Sequence, residues 1–255
     1  MQRTRTVKDS MGELQVDESV LFGAQTQRAV ENFPVSGRKM PEKFVRALLQ
    51  IKKNAAQANK TLGCVDKNTA DSIISACEQL LESSTLMSNF PVDVFQTGSG
   101  TSSNMNANEV IAAIASDLSG YSIHPNDHVN FGQSSNDVIP TAIHVSARIA
   151  VEDDLKPALL HLIQTIEGKA KSVAGVCKTG RTHLMDAMPI SFDQTLLGWV
   201  NQLESTLGLL ESTSMSLQSL ALGGTAVGTG INTHPEFAST FAKLLSAELG
   251  IDFRP

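Results

Sequence analysis

The sequence predicts a mainly α-helical protein, with a small N-terminal helical domain over 1–133 and the first part of a central helical bundle over 134–255. Three observations carry this. Apolar residues recur at three- and four-residue spacing through most of the chain, as on helices with one buried face. Alternation of apolar and polar residues, the strand signal, is confined to 13–21. Polar, glycine-rich runs fall between the apolar stretches and would connect helices there. The boundary is set at Gln133, where shorter segments give way to long ones.

In chain order, 13–21 reads as a short strand or an extended arm, and Phe33-Pro34-Val35-Ser36-Gly37 reads as a turn. Pro41 opens a helix with Phe44, Val45, Leu48, Leu49 and Ile51 on its apolar face, closed by Gly63. Asp66 is suited to cap a second helix carrying Ala70, Ile73, Ile74, Cys77, Leu80 and Leu81, which ends before Pro91. A third, shorter helix is expected over 108–118, stopping at Gly120. From Val138 the pattern lengthens through Ile143, Ala147, Ile149 and Ala150, then past Pro157 through Leu159, Ile163, Ile166 and Ala170. After Pro189 another long helix carries Phe192, Leu196, Trp199, Val200, Leu203, Leu207 and Leu210 on one stripe, expected to be core.

With 255 residues, 41% of them hydrophobic and 18% charged, the chain can bury a sizeable core. A net charge of −6 without any Lys/Arg cluster argues against a nucleic-acid surface, so an anionic ligand would have to be held by local donors. Cys64, Cys77 and Cys177 show neither CxxC nor Cys/His spacing, which suggests no disulfide framework and no metal site. No apolar run approaches membrane length and no apolar signal core follows Arg3, Arg5 and Lys8; a cytoplasmic protein without a membrane partner is expected.

Four polar cassettes carry the candidate chemistry. The run 124–144 holds His124, Asn126, Asp127 and then Ser134-Ser135-Asn136-Asp137 just before apolar residues resume. Such residues cap a helix start, and a helix start also attracts a carboxylate or phosphate. Both readings stand on this run alone. The run 96–109, with Ser99, Thr101 and Asn104, combines glycines that admit close backbone approach with uncharged donors, as suits a small carboxylate. It is no phosphate-binding P-loop, for no strand precedes it. The run 180–189 places Arg181, Thr182, His183 and Asp186 within six positions, including one group able to move protons near neutral pH. The glycine loop 223–230 is expected to serve a bend or a close helix contact.

Together these runs closely resemble the fumarase/aspartase superfamily, and within it the class II fumarate hydratases. The resemblance spans the chain, beginning with Lys8-Asp9-Ser10-Met11-Gly12 and Leu21-Phe22-Gly23-Ala24-Gln25-Thr26-Gln27-Arg28-Ala29. Gln96-Thr97-Gly98-Ser99-Gly100-Thr101 and Gln133-Ser134-Ser135-Asn136-Asp137 look like the fumarase versions, since aspartases usually carry Ala for the Ser of the first and Thr for the second Ser of the second. The resemblance implies reversible trans addition of water to fumarate to give (S)-malate, a step of the tricarboxylic acid cycle, without metal or organic cofactor. It further implies that Ser99, Thr101, Asn104, Ser134, Ser135 and Asn136 hold the substrate carboxylates, that Thr182 adds a hydroxyl, and that His183 binds or activates the water. By the same resemblance His124, Asn126 and Asp127 form a second dicarboxylate site. The family gathers each active site from three subunits of a homotetramer built on a helical bundle.

Asp193, Thr195 and Phe131-Gly132 depart from the family pattern. A larger departure is that the chain stops at Arg254-Pro255, before the loop G-S-S-x-M-P-x-K-x-N that supplies the family's serine base. The 255 residues alone are therefore expected to be inactive, with Leu203, Leu207 and Leu210 left uncovered. Two alternatives are an ammonia-lyase acting on aspartate and a non-catalytic fragment for dicarboxylate binding or assembly.

Overall fold

The structure is a computed structural model that describes residues 3–255. It is mainly helical, as expected, and its contacts divide it into two units. The first comprises residues up to Ser146 with Gln218–Pro255, and the second is Ala147–Leu217. The C-terminal helix stays with the first unit in this division because it packs on the helix Glu42–Thr61.

The first unit begins with an antiparallel hairpin, β1 (Thr4–Asp9) and β2 (Gly12–Asp17), in which Thr4 faces Asp17 and Asp9 faces Gly12. Only β2 carried a strand signal; β1 is polar and draws its order from pairing. Helix α1 (Ala24–Asn32) has no long apolar stripe and buries only Ala24, Thr26 and Ala29. Its start is closed from elsewhere, by the Glu109 carboxylate, which accepts hydrogen bonds from the backbone N–H groups of Gly23 (2.9 Å), Gln25 (2.9 Å) and Thr26 (3.1 Å) and from the Thr26 hydroxyl (2.6 Å). A Cβ on Gly23 would stand 2.8 Å from Glu109 Oε1, so glycine is needed there for close approach.

Helix α2 (Glu42–Thr61) follows Pro41 and buries Phe44, Val45, Leu48, Leu49 and Ile51, each worth about 1.5–3 kcal/mol when fully removed from water. Helix α3 (Lys67–Glu82) is capped as expected, the Asp66 side chain accepting from the Thr69 N–H. Helix α4 (Thr101–Ser119) starts seven residues earlier than its apolar pattern suggests. Its first two turns consist of residues read as a loop, and Ser102, Ser103, Asn104, Asn106 and Asn108 are buried on it. Polar burial hid the helix, because a periodicity search counts only apolar positions. Helix α5 (Ser135–Ala150) opens in this unit, and α8 (Phe237–Leu249) closes it, burying Phe237, Phe241 and Leu245 and packing on α2.

In the second unit, a π-helical turn (Val151–Leu155) links the end of α5 to α6 (Lys156–Ser172), which pairs with α7 (Phe192–Ser214). Arg148 donates to Glu152 and Ser214, and Lys156 Nζ lies 2.7 Å from Glu211, so the helices are tied by charge where few side chains are buried. The cassette 180–189, expected as a loop between helices, is instead a hairpin of β3 (Cys177–Thr182) and β4 (Met185–Ser191). His183 (φ 48°) and Leu184 (φ 60°) make its two-residue tip, and positive φ at both matches the twist of a tight hairpin. The stripe of α7 is also corrected: Val200 is buried, but Trp199 is 52% exposed and Phe192 43% exposed.

Candidate functional site

Three of the four cassettes converge at the start of α5. Ser134 and Asp137 form a reciprocal cap there, the Asn136 N–H donating to Ser134 Oγ (3.2 Å) and the Ser134 N–H to Asp137 Oδ1 (2.9 Å). The capping reading therefore holds for Ser134 and Asp137. It does not hold for Ser135 and Asn136, whose side chains face other cassettes.

Ser135 Oγ accepts a hydrogen bond from Asn104 Nδ2 (3.1 Å), joining α5 to the first turns of α4. Asn136 Nδ2 donates to the Ala226 carbonyl in the glycine loop (2.8 Å). Asp137, 2% exposed, accepts from the backbone N–H groups of Gly223 (3.1 Å) and Thr225 (2.8 Å) through Oδ2. The loop can fold this closely because a Cβ on Gly223 would stand 2.6 Å from that of Ala238 on α8. A bend or a close helix contact is the sequence expectation for these glycines.

Ser99 and Thr101 flank Gly100, whose φ of +69° sets the turn into α4. Their hydroxyls lie 2.8 Å apart, and Ser99 is exposed. A Cβ on Gly100 would be 2.9 Å from Ile139, which brings the starts of α4 and α5 side by side. Two helix N-termini, with the hydroxyl or amide side chains of Ser99, Thr101, Ser134, Ser135 and Asn136, thus lie side by side, and this combination favours an anion. Behind it Gln96 locks the α4 entry, accepting from the Ser103 N–H (2.9 Å) and donating to Ser103 Oγ (2.8 Å).

Beneath the convergence lies Lys52 of α2, 0% exposed, a residue the sequence analysis does not single out. Its Nζ donates to Asn130 Oδ1 (2.7 Å) and Gln133 Oε1 (3.0 Å). Burial pushes its pKa down to about 7, against the pull of the Asp137 carboxylate. Its place on the apolar face of α2, four residues after Leu48 and four before Ala56, is the signal that could have flagged it.

The remaining expected residues lie elsewhere. His124, Asn126 and Asp127 sit together on a π-helical turn (Pro125–Val129), where His124 Nδ1 accepts from the Asn126 and Asp127 N–H groups and lies 3.1 Å from Asp127 Oδ2. These contacts satisfy the turn itself. Thr182 and His183 belong to the second unit, exposed at the tip of the β3–β4 hairpin with Leu184 and Met185.

A family model described as lyase matches residues 12–253. The chain is 56% identical over 255 residues to "Fumarate hydratase class II 2" of Pseudomonas aeruginosa and 54% identical to "Fumarate hydratase class II" of Halobacterium salinarum, spanning 56% and 54% of their lengths. It thus covers about half the length of these curated relatives. Among solved structures, a recombinant class II fumarase from Schistosoma mansoni superposes with a TM-score of 0.93 at 38% identity, matching 99% of this chain and 57% of that one.

Proposed function

The chain belongs to the lyase family, and we propose that it is the N-terminal half of a class II fumarate hydratase, which adds water to fumarate to form (S)-malate and removes it again. One observation carries this reading: the Asn104 to Ser135 hydrogen bond joins two helix starts and leaves the Ser135 hydroxyl proton for a small carboxylate.

In this reading Ser99, Thr101, Ser134, Ser135 and Asn136 bind the substrate carboxylates, and Asn104, whose two amide hydrogens go to Asn130 and Ser135, holds the Ser135 hydroxyl in place. Viewed from malate, the difficult step removes a weakly acidic proton next to a carboxylate, which places extra negative charge on that carboxylate. Preorganised neutral donors stabilise such charge without reorganising. Thr182 contributes a hydroxyl from the hairpin tip and His183 holds the water. The proton is taken by a base outside these 255 residues, so proton transfer and water addition are divided between this chain and the remainder of the protein. His124, Asn126 and Asp127 are proposed as a second dicarboxylate site.

Self-association is supported by exposed apolar side chains of the second unit: Leu184 (101% exposed), Met188 (79%) and Trp199 (52%) are costly to leave in water. We propose a homotetramer in which copies complete one another's sites, with 1–133 and 134–255 as its N-terminal and bundle domains. No helix among the described residues is long and apolar enough to cross a membrane, and a cytoplasmic location is proposed.

The test combines this chain with the C-terminal half of the Pseudomonas aeruginosa relative and compares two substrates. Loss of fumarate absorbance with malate formation is the expected result. Ammonia release from aspartate without fumarate hydration would replace this reading by the ammonia-lyase.

A further inference from the structure

We infer that Lys52 is a positioning residue for the carboxylate site, acting through a directed chain of hydrogen bonds that ends at the Ser135 hydroxyl. This rests on the reading of Ser135 as a carboxylate donor.

The direction of each bond is fixed by the atoms present. In its protonated form Lys52 Nζ has only hydrogens to offer, so Asn130 then presents its oxygen at 2.7 Å and Gln133 its oxygen at 3.0 Å. Asn130 Nδ2 then points the other way and donates to the Gln133 carbonyl (3.2 Å). The same Asn130 oxygen accepts from Asn104 Nδ2 (3.3 Å), which fills its two lone pairs. Asn104 Nδ2 spends its other hydrogen on Ser135 Oγ (3.1 Å). Ser135 receives a hydrogen bond and keeps its own proton, so its hydroxyl is left as a donor to an anion.

The Asn104 amide is held in this orientation by Asn130 Oδ1, which can only accept, and it stays in place although its own Oδ1 is buried without a protein partner. Asn104 is 1% exposed and Lys52 0% exposed, so water cannot readily replace either link. A buried ammonium held only by neutral amide oxygens is an expensive way to anchor a loop. An apolar side chain would anchor α2 at less cost, but it could not dictate which way three amides and a hydroxyl face. The polarity of the chain is what Lys52 supplies.

The test compares Lys52→Met with Lys53→Met in this chain combined with the C-terminal half of the Pseudomonas aeruginosa relative, using fumarate and (S)-malate as probes. Lys53 pairs with Glu248 (2.8 Å) and joins α2 to α8, so its loss reports structural loosening alone. Lys52→Met is expected to raise KM for both substrates tenfold or more, with kcat changed less than threefold. Lys53→Met is expected to leave KM within twofold even where it lowers the melting temperature. Equal KM effects in the two variants, or none in Lys52→Met, would overturn the inference. Should Lys52→Met fail to fold, Asn130→Ala cuts the next link while Gln133 still receives the ammonium, and the same KM rise is expected. Should the wild type turn over neither probe, the reaction assigned above fails while the relay is still decided by nitrogen-15 NMR of the 255-residue chain. The Asn104 side-chain amide must then shift on Lys52→Met or Asn130→Ala, and unchanged resonances would overturn it.

Discussion

Asp137 shows how one buried carboxylate joins a cap to a distant loop. It serves the start of α5 through one oxygen and the glycine loop through the other, 86 and 88 residues away in sequence. Asp137→Ala leaves three backbone N–H groups without their acceptor and is expected to cost on the order of 3 kcal/mol in urea denaturation. Two other residues set opposite pH responses. Asp93 is held at about pKa 2: burial opposes its charge, but hydrogen bonds from the Phe95 N–H, the Ser36 hydroxyl and N–H, and the Gly37 N–H outweigh it. Its contribution is full above the ordinary carboxylate pKa near 4 and is lost as pH falls through about 2, so acid melts of Asp93→Asn should converge with the wild type there. Lys52 keeps its proton to about pH 10.5 when unfolded but only to about 7 when folded. Between those values the unfolded chain binds more protons, so stability rises with pH, and wild-type stability should gain on Lys52→Met between pH 7 and 9. Of these residues, Asp137 was legible in sequence as a cap and Lys52 was not, because a lysine on a helix is ordinarily solvated.

At the scale of elements, α2 and α3 were legible because their buried faces are apolar or their caps local, and α7 because its apolar residues recur at helical spacing. Trp199 was misread for the same reason: a stripe shows which face a helix would bury, not whether this chain supplies the cover. Helix α1 escaped because its cap comes from Glu109, more than eighty residues away. Removing that carboxylate in Glu109→Ala strips the α1 start of its acceptors, and hydrogen exchange should accelerate first at Gln25 and Thr26 with α2 unaffected. The β3–β4 hairpin was missed because its tip uses His183 and Leu184 rather than Asn-Gly. A non-glycine pair in the left-handed region is strained. His183→Gly should therefore keep or raise hairpin stability while removing the imidazole proposed to hold water, lowering activity without lowering the melting temperature.

For the whole molecule, convergence of the cassettes was the part sequence could not give: nothing in their spacing says that Asn104 reaches Ser135 or that Asn136 reaches Ala226. Motif resemblance supplied the chemistry, and long-range hydrogen bonds supply its arrangement. The exposed apolar side chains of the second unit belong to this scale as well. If they are covered by copies of the chain, Trp199→Asp together with Leu184→Asp should lower the mass seen in light scattering towards a single chain. The central claim is that these residues form the carboxylate-binding half of a fumarate hydratase, and fumarate hydration by the chain with and without a C-terminal half tests it most directly. No turnover alone, turnover when the two halves are combined, and a KM raised at least tenfold by Ser135→Ala are the predicted results. Turnover by the 255 residues alone at a rate matching the combined halves, or a Ser135→Ala variant with unchanged KM, would contradict it.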